Sequence, residues 1–206
     1  GDAKHLAATV AIAGALDNAG VLRVVGGELD VGGPVTGAGS VAIAGGALEF
    51  GGAFDEDVAF TGWAGVLGLA DSQNYNGSIT GFSLSGATSL DLGDIQFIAG
   101  TTTATYADNG SHTGGVLTVT DGTNIAHINL VGDFTGSTFV TSADAGTGTI
   151  VVDPPKGGGA AATPAAVHSL VAAIAGMDGG AGHWTPNPQS GRATTSLIAA
   201  FHHSGG

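Results

Sequence analysis

Two stretches of the chain, GVLRVVGGELDVGG over residues 20–33 and GSVAIAGGALEFGG over residues 39–52, superimpose at one constant offset of 19 residues. Gly20/Gly39, Gly26/Gly45, Gly27/Gly46, Leu29/Leu48, Gly32/Gly51 and Gly33/Gly52 all coincide. Inside each copy the apolar residues alternate. Leu22, Val24, Leu29 and Val31 in the first answer to Val41, Ile43, Leu48 and Phe50 in the second. Alternation at a period of two marks strands, and the paired glycines between them supply the positive φ of tight turns. A repeat of two short strands and two turns cannot bury its own apolar face, whereas stacked copies bury a continuous core. The repeat therefore predicts an all-β fold, a right-handed parallel β-helix (β-solenoid).

The pattern extends in both directions. Upstream, Val10, Ile12 and Leu16 mark a degenerate coil, and downstream Val58, Phe60, Leu67 and Leu69 continue the series. Residues 75–97 keep the strand spacing through Ile79, Phe82, Leu84, Leu90, Leu92, Ile95 and Phe97, but Ser, Thr and Asp replace the glycine pairs in the turns. The solenoid coils are accordingly expected over residues 1–99. Residues 115–130 carry a hairpin signal, Leu117 and Val119 facing Ala126, Ile128 and Leu130 across Asp121-Gly122. With Tyr106 before it and Phe134, Phe139, Ile150 and Val152 after it, a small antiparallel β cap is expected over 100–153, where it would blunt an open sheet edge.

The run Asp153-Pro154-Pro155-Lys156-Gly157-Gly158-Gly159 ends any strand, and residues 154–163 read as a linker. Residues 164–206 read as a short α-helical tail of two helices. Thr163 is placed to cap the first, ahead of Pro164 and the Val167, Leu170, Val171, Ile174 stripe. Ser169 to Ile174 is echoed by Ser196 to Phe201 beyond a Pro-rich loop holding Trp184.

Charge narrows the partners. Seventeen carboxylates against Lys4, Arg23, Lys156 and Arg192 give a formal net charge of −13. Nucleic acid and anionic membrane surfaces both need clustered cations, so neither is an expected partner. No run reaches the roughly 18 apolar residues of a membrane span, and no membrane insertion is expected. The absence of Cys is compatible with export as an unfolded chain that folds outside the cell. The sequence opens in mid-pattern at Gly1, and reads as part of a longer protein.

The G-x-L/V-x-V-x-G-G-x-L-x-V-G-G repeats resemble those of autotransporter passengers. Tyr75 to Phe97, with Thr118 to Pro155, are similar to the module that closes repeat arrays in very large secreted or surface proteins of Gram-negative bacteria. The resemblance covers roughly residues 20–155. It implies an extracellular or cell-surface location and an adhesin-like, haemolysin-like or calcium-binding role, with a glycan or surface receptor as partner.

No catalytic signature accompanies the repeats: G-x-S-x-G, G-x-x-x-x-G-K and H-E-x-x-H are all missing. The reading is a structural or adhesive module, not an enzyme, that requires no cofactor. The candidate calcium site is Asp55, Glu56 and Asp57, a run of hard oxygen ligands in a turn. The calcium nonapeptide G-G-x-G-x-D is not reproduced there, because Phe54 stands where the third Gly belongs. Asp91 and Asp94 form a second acidic pair.

The alternative is a carbohydrate-active β-helix enzyme. A lyase of that shape would lean on Arg23, and a hydrolase would need two of Asp55, Asp57, Asp91 and Asp94 on one face. Four of the seven histidines, His168, His183, His202 and His203, lie in the tail; the others are His5, His112 and His127. Trp63, following Phe60 in a patterned segment, is expected in the core, and Trp184 is the candidate sugar-stacking residue.

Overall fold

A computed structural model of the chain describes residues 8–156. The expected tail helices, Trp184, His5 and the four tail histidines lie outside the described residues. Within them the chain is all-β, its strands laid down as successive coils. The first coil comprises β1 (Thr9–Ile12), β2 (Leu16–Asp17) and β3 (Val21–Val24). The second comprises β4 (Glu28–Val31), β5 (Val35–Thr36) and β6 (Ser40–Ile43). The third holds β7 (Ala47–Phe50) and β8 (Asp57–Phe60), the fourth β9 (Gly65–Leu69) and β10 (Ser78–Thr80), and β11 (Thr88–Leu92) follows.

Equivalent strands pair in parallel and build a β-solenoid of about four turns. The register follows the repeat: Leu29 lies beside Leu48, Leu48 beside Leu67, and Leu67 beside Leu90. One face is the ladder β1-β4-β7-β9-β11, a second is β3-β6-β8-β10, and the short pair β2-β5 forms a third. Alternation has the expected consequence in β6, where Val41 and Ile43 are buried and Ser40 and Ala42 are not. Each large side chain so enclosed contributes about 1.5–3 kcal/mol.

Two antiparallel units continue the two long sheets. Strands β12 (Thr103–Asp108), β13 (Gly114–Thr120) and β14 (Ile125–Val131) form a meander whose last strand pairs in parallel with β10, Ile79 beside Leu130. Leu117 faces Ile128 and Val119 faces Ala126, the pairing read from the alternation. Strands β15 (Val140–Ala143) and β16 (Thr149–Val152) form a hairpin that pairs antiparallel with β11, Leu90 beside Val151. Between these units Phe82, Tyr106, Phe134 and Phe139 pack ring against ring, with centroids 5.6–6.4 Å apart. The buried Asp121 ties the β13–β14 turn to the solenoid, accepting the Asn124 N–H at 2.7 Å and the Gln96 N–H at 3.1 Å.

The glycine pairs serve two different physical needs. Gly27 and Gly46 have φ of +74° and +81°, and a Cβ on Gly46 would sit 2.3 Å from the Gly27 carbonyl oxygen. Gly33 and Gly52 have no positive φ; a Cβ on Gly52 would instead meet the Gly33 carbonyl carbon at 2.8 Å. The expectation that both pairs supply left-handed turns thus holds for the first alone. The second is glycine because backbones of successive coils approach too closely at that corner for a side chain.

Candidate functional site

The acidic turn lies where the third coil enters β8. Phe54 is buried, its ring 3.7 Å from that of Phe50 and 5.6 Å from that of Tyr75, centroid to centroid. The residue that breaks the calcium nonapeptide is therefore a core stack between coils. With Phe54 turned inward, the extended backbone points Asp55 and Asp57 outward and leaves Glu56 buried. Asp55 Oδ1 accepts the Asn76 N–H at 2.9 Å. Asp57 Oδ1 accepts the Ser78 hydroxyl at 2.7 Å and the Ser78 N–H at 2.8 Å, and these bonds lower its carboxyl below the usual range. Glu56 Oε2 accepts from the Asn18 amide at 2.6 Å, two coils away. The three carboxylates point to different partners, and two of them satisfy backbone N–H groups of the next coil. An open groove of about 240 Å³ separates this turn from Gly37, Ala38 and Gly39.

Asp91 and Asp94 do not share a face with that turn. Asp91 sits on β11, in a ladder that runs Asp30, Glu49, Gly68, Asp91 across adjacent strands, whereas Asp57 belongs to the other long sheet. A groove of about 300 Å³ follows this ladder and is also lined by Asp144. Asp94 is a turn residue that accepts bonds from the Ser72 hydroxyl at 2.5 Å and the Gln73 N–H at 3.1 Å. Trp63 corrects another expectation, being 86% exposed. It lies at the corner between β8 and β9, outside the alternating strand positions that face the core.

A third group was not foreseen. Asp108 ends β12, His112 lies in the following turn, and Asp133 follows β14; one ligand atom from each lies within 4.8 Å of the others. Among the described residues no other trio of His, Asp or Glu meets that condition. His112 has φ of +57°, and its Nδ1 is 2.8 Å from the Thr135 hydroxyl and 3.5 Å from Asp108 Oδ2. Asp133 Oδ1 accepts the Thr135 N–H at 2.9 Å. That bond, the Thr135 hydroxyl and the nearby His112 and Lys156 lower its carboxyl from the ordinary value.

Asp108 Oδ2 and the Tyr106 hydroxyl are buried without a hydrogen-bond partner. Burial, with the charges of Asp108 and Asp133, raises the Tyr106 phenol. The only sequence signal for this group was an Asp four residues ahead of a His in a polar loop, and Asp133 lies well beyond the reach of such a motif. Compared with protein-family models, curated proteins and solved structures, the chain matches none.

Proposed function

We propose that the chain is a structural and adhesive module of an extracellular or cell-surface bacterial protein. In this reading it is a right-handed parallel β-helix of the autotransporter-passenger kind, capped at one end by its antiparallel units. The observation that supports adhesion is the indole of Trp63, 86% exposed at the corner between the two long sheets. Val25 and Leu84, 67% and 52% exposed, stand at the same corner on other coils. An exposed indole is an amphipathic platform for a sugar ring or a receptor side chain. The test is binding of the chain to bacterial and plant polysaccharides and to host-cell surfaces. Trp63→Ala should weaken binding while leaving the unfolding midpoint unchanged; undiminished binding rejects the adhesive role.

A second reading, a carbohydrate-active enzyme, is supported by the acidic groove. Glu49 and Asp91 flank Gly68 in one ladder. Strand spacing of about 4.8 Å puts their Cα atoms about 9.6 Å apart on one sheet, and two carboxyls on one face are what a glycoside hydrolase requires. New reducing ends or unsaturated products, abolished by Glu49→Gln or Asp91→Asn, would displace the structural reading.

A further inference from the structure

The Asp108, His112 and Asp133 group offers one imidazole nitrogen and two carboxylate oxygens at mutual distances below 4.8 Å. Two ligands bonded at about 2.1 Å to a tetrahedral ion stand about 3.4 Å apart. His112 Nδ1 and Asp108 Oδ2 are separated by 3.5 Å, the spacing of neighbouring ligands on one such ion. Asp108 Oδ2 is shut off from water and makes no hydrogen bond, its polar contact being the 3.5 Å approach of the same His112 Nδ1, while Oδ1 of that carboxylate accepts the Gly110 N–H at 2.6 Å. The Tyr106 hydroxyl beside this group is likewise buried without a hydrogen-bond partner.

We propose that Asp108, His112 and Asp133 bind a single divalent transition-metal ion, zinc being favoured, which clasps the β12–β13 turn to the segment following β14. The nitrogen ligand and the small ligand number select a borderline ion over calcium, which takes six to eight oxygens. Two carboxylates neutralise the ion, and three protein ligands leave a fourth position for water. The clasp joins residues far apart in the chain within the antiparallel meander.

The experiment uses the full chain with His168, His183, His202 and His203 replaced by Ala, so that the tail cannot supply imidazoles. The protein is stripped with chelator and titrated with Co²⁺, then with Zn²⁺. One equivalent of Co²⁺ should give the visible d–d absorption of a low-coordinate site, and Zn²⁺ should displace it and raise the unfolding temperature. His112→Asn, a residue type that tolerates positive φ, should weaken zinc binding at least about tenfold, since outer-sphere changes alone cost 10–100-fold. Asp133→Asn, at an exposed position, should do the same and provides a second reading should the first variant fold poorly. His127→Ala, which removes an imidazole bonded to the Thr118 hydroxyl, should leave zinc affinity unchanged. Affinity unchanged in both ligand variants, an equal loss in His127→Ala, or no stoichiometric binding at micromolar metal would overturn the proposal. Displacement of zinc by equimolar calcium would overturn the choice of ion.

Discussion

Replacing Leu48 by Ala tests whether the solenoid interior is a stacked column rather than a loose apolar centre. Leu48 has no exposed surface and lies between Leu29 and Leu67, with Leu90 one coil further on. The substitution removes three carbon groups, about 2.4 kcal/mol at about 0.8 kcal/mol for each. The neighbours on either side are held in register by backbone ladders, so the site collapses little, and the cavity raises the cost to about 3–4 kcal/mol. Leu29 is only partly buried, and Leu29→Ala should cost about half as much. Urea unfolding followed by far-UV circular dichroism measures both. Glu49→Lys, at the adjacent position turned the other way, is the control and should shift stability by less than about 1 kcal/mol. A fall in the slope with the midpoint of the last coils retained would show the coils unfolding in sequence from the broken one. A Leu48→Ala loss below about 1 kcal/mol, or one equal to that of Glu49→Lys, would refute the stacked-column argument.

Other expectations can be measured in the same way. Gly46→Ala combines a φ of +81° with a 2.3 Å approach to the Gly27 carbonyl oxygen and should cost at least about 2 kcal/mol. Gly26→Ala, where a Cβ would meet nothing within 4 Å, should be close to neutral in thermal unfolding. Asp121, lowered from 3.8 to about 2 chiefly by the Asn124 N–H and side-chain amide, contributes stability above its unfolded value that is lost as pH falls from about 4 towards 2; Asp121→Asn should flatten the unfolding midpoint across that window. Calcium near 1 mM, compared at equal ionic strength, should change the unfolding temperature little, because Asp55 and Asp57 already serve backbone N–H groups. A rise abolished in the Asp55→Asn, Asp57→Asn double variant would establish the acidic turn as an ion site.

The coil architecture was legible in the residues because a parallel stack copies its period into the chain. Leu29 beside Leu48 is a spacing of one repeat, and the glycines of each turn recur at that spacing since each coil presents the same backbone to the next. The β13–β14 pairing was legible for a similar reason, short alternating strands around a polar turn. What depended on where a corner falls was not. Trp63 reads as a patterned apolar residue but sits on a corner, where alternation ceases to predict facing. Phe54 reads as a defect in a calcium motif and becomes a stack on Phe50 and Tyr75, since its role is set by rings from neighbouring coils. Asp108, His112 and Asp133 carry no common spacing, and only the folding of β12 against β13 and β13 against β14 brings them together. Periodicity is local information that every coil repeats, whereas a constellation of side chains is a property of the path between strands, which was settled only when the meander closed on β10.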